Sequence, residues 1–310
     1  MEYREIGKTG MKVSVLSFGA SSLGGVFHSI NEAKGIEAVY TALYHGINFI
    51  DVSPYYGHYK AEIVLGKALK HIQRNRYLLS TKVGRYGKDG VNTWDYSGRR
   101  AKESVYESME RLNIDYIDLI NVHDIEFADL QQVANETLPA LVELKEEGIV
   151  KHVGITDLQL ENLQWVIDHV PGGTVETILN FCHFCLNDDK LIDYLDYFES
   201  RNIGIINASP FGMGLLSSRG VPDWHPAPDS LVEACRNAAE YCKLQNYPIE
   251  KLAIQYSVSN PRISTTLFSS ANPENVLRNI QIIEEPLDEQ LVKEVQKIIG
   301  NQQRVSWKNS

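Results

Sequence analysis

Apolar runs long enough to span a bilayer are absent from the 310 residues, and the opening Met1-Glu2-Tyr3-Arg4-Glu5 lacks the apolar centre of a secretory signal. Clusters of Lys and Arg are absent as well. The 30 basic residues are scattered among 40 acidic ones, for a net charge of -10 and a pI near 5.4. Phosphate backbones require concentrated cations, so this balance argues against nucleic acid, and the lack of apolar spans argues against a membrane. The chain reads as a soluble cytoplasmic protein, a monomer or weak homodimer.

Cysteine is scarce. Residues 182, 185, 235 and 242 are too few to staple a chain of this length. Cys182-His183-Phe184-Cys185 has metal or redox spacing, but no second ligand pair follows at zinc-like distance, and no His-x-His pair occurs. Free, buried thiols and no metal are the expectation. The G-x-G-x-x-G turn of open dinucleotide-binding sheets is also missing, because Gly19-Ala20-Ser21-Ser22-Leu23-Gly24-Gly25 does not fit that spacing.

What is present is alternation. After an N-terminal hairpin over residues 2–14, strand-length apolar runs fall at Val15–Phe18, Asn48–Val52, Tyr77–Lys82, Asp118–His123, Val150–Ile155, Thr177–Phe181, Ile203–Ala208 and Thr265–Phe268. Helical periods separate them: Ile36, Val39, Tyr40 and Leu43; Val105, Met109 and Leu112; Leu138, Leu141 and Val142; Leu191, Leu195 and Phe198. Gly46, Gly148 and Gly204 sit where helices would end in a left-handed cap. Eight strand–helix units without an internal linker predict one α/β domain over residues 1–310, a (β/α)8 TIM barrel. Two rim loops, Gly84–Arg99 and Gly212–Ser230, and extra C-terminal helices, one bearing Leu291, Val292, Val295, Ile298 and Ile299 on one face, are additions to it.

In such a barrel Asp51, Tyr56, Lys82 and His123 lie at or just past the ends of three successive strands, so they meet at one rim. Each alone reads as a buried salt bridge or a core histidine; four converging read as chemistry. A free phenol has a pKa of about 10, which the Lys82 ammonium would lower, with Asp51 orienting Lys82 and His123 hydrogen bonding the same substrate oxygen. This equipment moves a proton while a hydride moves.

Asp51-x-x-x-x-Tyr56-Gly57, Thr81-Lys82 and Val122-His123-Asp124 resemble the catalytic tetrad signature of the aldo-keto reductase superfamily. Within it, Phe18-Gly19-Ala20-Ser21, Ser53-Pro54-Tyr55-Tyr56-Gly57, Gly84-Arg85-Tyr86, His123-Asp124-Ile125-Glu126-Phe127 and Trp224-His225-Pro226-Ala227 are most similar to the plant-type L-galactose dehydrogenase subgroup. The resemblance implies an NAD(P)-dependent carbonyl or alcohol oxidoreductase with the tetrad as its catalytic residues. For cofactor binding it implies Ala20 and Ser21, Thr156, Asp157 and Asn180 at the carboxamide, and Ser209, Phe211, Met213, Gly214 and Leu215 around the pyrophosphate. Ser269, Ser270, Asn275 and Asn279 would lie along the adenosine.

Three departures matter. Asp157 replaces an amide and, ionised, could only accept a hydrogen bond. Asn180 is shorter than the usual Gln, and Ala208 stands where many members stack a Tyr on the nicotinamide. Ser269 and Asn275 occupy positions where NADP-preferring members carry cations, which implies NAD over NADP, with Arg278 nearby as the opposing feature.

Tyr55, His58, Tyr86, Asp124, Trp224 and His225, with Trp94, would line a pocket of flat apolar faces and polar edges, which suits a sugar. The expected reaction is oxidation of an aldose such as L-galactose at its anomeric carbon to a lactone. The alternatives are a general aldehyde or ketone reductase and, against the intact tetrad and the absence of an N-terminal extension, a regulatory subunit like the potassium-channel β-subunits.

Overall fold

The computed structural model describes residues 1–26, 29–87 and 93–308; positions 88–92 of the first rim loop lie outside the described residues. Two short antiparallel strands, β1 (Tyr3–Glu5) and β2 (Lys12–Ser14), form the hairpin. Eight parallel strands follow: β3 (Leu16–Gly19), β4 (Phe49–Asp51), β5 (Leu78–Val83), β6 (Ile117–Val122), β7 (Val150–Asp157), β8 (Thr177–Phe181), β9 (Gly204–Ala208) and β10 (Thr265–Ser269). They pair in chain order, and β10 pairs back to β3 to close the barrel. Every predicted strand overlaps one of them.

The outer layer is α1 (Glu32–Tyr44), α2 (Lys60–Leu69), α3 (Gly98–Leu112), α5 (Leu138–Glu146) with its lead-in α4 (Leu130–Gln132), α6 (Leu160–Asp168) and α7 (Leu195–Ser200). Two helices, α8 (Asp229–Leu244) and α9 (Ile249–Val258), join β9 to β10, and α10 (Pro273–Ile282) and α11 (Glu289–Ile299) follow. Asn31, Ser97 and Asp288 cap α1, α3 and α11 by accepting from the backbone N–H groups of Lys34, Arg100 and Leu291. Among the described residues no helix is long and apolar enough to cross a membrane.

Two periodic faces turn slightly from their expected aim. In α1 the buried residues are Gly35, Ala38, Val39 and Ala42, and Tyr40 is exposed. On α11 Leu291, Val292, Val295 and Ile299 are buried with residues of α8, while Ile298 is exposed. The four cysteines are free and buried.

Gly46 and Gly148 take the left-handed conformation just past α1 and α5, at φ 94° and 78°. Gly204 does not: it opens β9, and Asn202, at φ 61°, makes the turn in its place. Gly204 serves packing instead. Ile6, Met11 and Val13 of the hairpin region fill the barrel end against Phe49, Leu119, Leu179, Ile206 and Leu267. A Cβ on Gly204 would strike the Ile6 side chain and stand 2.7 Å from the Gly7 nitrogen.

Behind β5, buried Glu62 of α2 accepts from Thr81 Oγ1 at 2.7 Å and from Arg111 Nε at 2.6 Å, which ties two helices to the strand that carries Lys82. Gly204→Ala is expected to destabilise the protein by about 1–3 kcal/mol through overpacking. Urea unfolding measures this, and an unchanged midpoint would mean that the hairpin yields freely.

Candidate active site

Asp51 ends β4, Lys82 is the penultimate residue of β5, and His123 immediately follows β6, whose register with β5 sets Lys82 opposite Asn121. Tyr56 reaches the same rim from the turn after β4. That turn needs Gly57, at φ 62°, because it presses against Gly24: a Cβ on Gly24 would stand 2.6 Å from the Tyr56 carbonyl oxygen. Lys82 Nζ donates to Asp51 Oδ1 and, at 2.9 Å, to the Val52 carbonyl, and lies 4.9 Å from the centroid of the Tyr56 ring. The Tyr56 and His123 rings meet edge-to-face with centroids 5.6 Å apart. The four expected residues are therefore in one place.

Their electrostatics differ from the expectation in one respect. Burial lowers the Lys82 pKa, but Asp51 and Tyr56 outweigh it, so the ammonium stays charged. The Tyr56 pKa is raised, not lowered, because loss of solvent outweighs the attraction of Lys82. The phenol therefore rests protonated. Burial, assisted by Lys82 and Arg85, holds the His123 pKa well below the ordinary imidazole value against the opposing pull of Asp124.

Two residues without an assigned role in the sequence complete the centre. Ser53 Oγ accepts from Tyr55 N at 3.1 Å and lies 2.9 Å from His123 Nδ1. When Nε2 carries the ring proton, Nδ1 accepts from the Ser53 hydroxyl, whose oxygen in turn accepts from Tyr55 N. Arg85 is buried, pairs with Asp124, and sits 3.9 Å from the Tyr55 ring centroid and 4.2 Å from that of Trp94. Both residues lie inside stretches that carry the family resemblance, but their partners are distant in sequence.

The remaining expected residues divide. Tyr55 and Asp124 stand at the centre, Tyr55 edge-on to His123 at 5.9 Å. Tyr86 is buried, its hydroxyl accepting from Gly84 N at 2.7 Å, so it supports the rim loop instead of facing a ligand. His58, in the turn after β4, bonds the Gly87 carbonyl of the first rim loop, and His225 Nε2 bonds the Gly212 carbonyl at 3.0 Å, closing the second rim loop on itself. Trp224, half exposed, stacks on His225.

Thr156 Oγ1 is engaged by Asp124, accepting from its backbone N at 2.8 Å and donating to its Oδ1 at 3.0 Å. Asn180 Nδ2 donates to the carbonyls of Asp157 and Leu158, leaving its buried Oδ1 without a partner. That acceptor fits the NH2 of a carboxamide. Ser209, Gly212, Met213 and Gly214 have positive φ, which bends the Ser209–Leu215 segment into a tight turn closed by bonds from the Gly212, Gly214 and Leu215 N–H groups to carbonyls within it. Ala20 and Ser21 open a tight turn after β3, to which Ser269 is bound through Ser22, the hydroxyls 2.7 Å apart. Ser270 Oγ accepts from Asn272 N at the head of α10, Asn275 Oδ1 accepts from Arg278 at 3.0 Å, and Asn279 is buried.

Asp157 accepts from Gln159 N and Asn162 Nδ2 at the start of α6. Burial, with Glu126 adding, pushes its pKa up to about 9, so the carboxyl is neutral at physiological pH and can donate, contrary to the ionised state expected from sequence. The unfolded carboxyl loses its proton near pH 4, roughly its reference value, while the folded one keeps it; stability therefore falls as pH rises from about 4 towards 9. Asp157→Asn is expected to be more stable than the parent, by a margin that widens across that window in thermal or urea unfolding. Parallel pH–stability curves would refute the shift.

The aldo/keto reductase family model matches residues 15–300. The chain is 43% identical to the L-galactose dehydrogenase of Arabidopsis thaliana over 99% of its own length and 97% of that protein's. It is 32% identical to the D-arabinose 1-dehydrogenase of Saccharomyces cerevisiae, covering 80% of this chain and 76% of the yeast one. The holo form of an aldo-keto reductase from Bacillus halodurans superimposes with a TM-score of 0.79 at 27% identity, over 98% of this chain and 100% of that one. Family members are oxidoreductases that use nicotinamide cofactors. With a closed barrel, a match over nearly its whole length and relatives this similar, the chain belongs to the aldo/keto reductase family.

Proposed function

We propose that residues 1–310 form one catalytic domain, an NAD-dependent aldose 1-dehydrogenase that oxidises a sugar such as L-galactose at its anomeric carbon to the lactone. The observation that carries this reading is the buried Asp51–Lys82 pair set against Tyr56 and His123, in a chain 43% identical to an L-galactose dehydrogenase. The likeness to a D-arabinose 1-dehydrogenase supports an aldose as substrate.

The nicotinamide, when bound, supplies the hydride acceptor. Asn180 Oδ1 would hold its carboxamide, and the Ser209–Leu215 turn its pyrophosphate. Ser269 and Asn275 offer hydroxyl and amide groups suited to a ribose. Arg278, the nearby cation, is hydrogen bonded to Asn275 and attracted to Glu250, whose carboxylate would repel a 2′-phosphate.

Tyr56, once its resting phenol has released its proton to solvent, takes the proton of the C1 hydroxyl as a phenolate and becomes a phenol again, and His123 Nε2–H donates to the same oxygen. The Lys82 ammonium stabilises that phenolate before the transfer, and Asp51 keeps that ammonium charged and in place. Tyr55 and Trp94 offer ring faces and Asp124 a carboxylate to the sugar hydroxyls. A second reading, reduction of aldehydes or ketones, is favoured by one observation: the Tyr56 phenol rests protonated, as a proton donor requires.

A panel of aldoses and simple aldehydes assayed with NAD⁺, NADP⁺ and their reduced forms separates these readings. Aldose oxidation with NAD⁺ is expected to lead; equal rates with NADP⁺ would overturn the cofactor assignment, and faster aldehyde reduction would favour the second reading. Tyr56→Phe is expected to lower kcat by about 10²-fold or more while NADH binding, followed by fluorescence, survives. Near-normal turnover would remove Tyr56 from its role.

A further inference from the structure

His123 has a carboxylate beside it. Asp124 Oδ2 lies 3.6 Å from His123 Nε2, the nitrogen that Ser53 does not engage. A buried carboxylate at that distance from an imidazole does two unwelcome things: it draws a second proton onto the ring, and it competes with the substrate oxygen for the Nε2–H. Asp124 cannot swing away. Its backbone N and its Oδ1 are both bound to Thr156 Oγ1, its carbonyl accepts from Tyr96 Oη at 3.1 Å, and it holds a left-handed φ of 43°.

The same Oδ2 is the atom that Arg85 engages. Arg85 is itself enclosed: its guanidinium carbon lies 3.9, 4.2 and 4.6 Å from the ring centroids of Tyr55, Trp94 and Phe127, and its Nε is buried with no hydrogen-bond partner. Three aromatic faces therefore hold the cation where hydrogen bonds do not, and they aim it at one carboxylate oxygen. Phe127, two residues beyond Ile125, closes the cage and meets Trp94 edge-to-face with centroids 4.8 Å apart.

We propose that Arg85 is a positioning residue of the catalytic centre: it holds Asp124 as a paired anion, so that His123 stays neutral and its Nε2–H stays available to the substrate oxygen. The charged and titratable groups around His123 are Asp124, Lys82 and Arg85, with Asp51 paired to Lys82 and the Tyr56 phenol alongside. Of these only Asp124 favours a charged imidazole, and Arg85 is its direct counter-ion. The downward displacement of the His123 pKa agrees with this arrangement.

The proposal rests on His123 as the donor to the substrate oxygen, yet its decisive readout needs neither sugar nor cofactor. The His123 imidazole is titrated by NMR in the free protein, with its resonance assigned by loss in His123→Gln among nine histidines. In the parent His123 is expected to titrate well below the ordinary imidazole value. In Arg85→Met its pKa is expected to rise by at least one unit, a tenfold change in the protonation ratio; Arg85→Met/Asp124→Asn should return it to the neutral form. Arg85→Lys, which keeps a cation, should titrate like the parent, and Arg85→Gln carries the methionine variant's expectation should that variant not fold. In turnover, Arg85→Met should raise KM for the sugar and lower kcat while NADH affinity holds. An unmoved His123 titration in both neutral variants, or a lysine variant that shifts as they do, would overturn the proposal. A failed aldose panel alongside the expected titration would instead sink only the substrate assignment.

Discussion

The ammonium of Lys82, 1% exposed at the mouth of the barrel, constrains everything around it. A buried cation without a partner is strongly destabilising, so β5 can carry Lys82 only where β4 brings Asp51 and the Val52 carbonyl to meet it. Glu62 and Arg111 fix the outer side of the same strand through Thr81, so the lysine projects from a position held on both faces. Tyr56 lies against that ammonium, which couples its proton to a fixed charge.

The centre contains two buried ion pairs with His123 between them, Asp51 with Lys82 and Asp124 with Arg85. Each pair is close to neutral as a unit, which lets an imidazole remain uncharged among four formal charges. Ser53 holds the Nδ1 edge of the ring. The result is a site whose donors are placed before any substrate arrives, with desolvation strengthening every interaction inside it. The aromatic rings of Tyr55, Trp94 and Phe127 form the cage that steadies Arg85.

Much of this was legible in the chain. The eight apolar runs located all eight barrel strands, because a parallel sheet buried on both faces writes itself as continuous apolar segments. The tetrad followed from where those runs end. What escaped notice is instructive. Gly204 was read as a helix cap because it sits between helix and strand, whereas its real constraint is the Ile6 side chain, almost two hundred residues away in sequence. Tyr86 and His225 lie on rim loops, and each side chain is bonded to a backbone group of its own loop, Gly84 N and the Gly212 carbonyl, which the chain alone does not report. The roles of Arg85 and Ser53 are not legible in the chain, since their partners Asp124 and His123 come after β6, 39 and 70 residues further on.

The sequence by itself determined the alternation of strands and helices, the identity of the four reactive groups and their arrival at one rim, because periodicity and strand order are local properties. Only the tertiary structure decided their proton affinities. Lys82 pulls the Tyr56 pKa down and burial pushes it up; which one prevails depends on how completely water is excluded, and Asp157 becomes a neutral acid for the same reason. Desolvation is a property of everything packed around a residue, and no spacing of letters along the chain reports it.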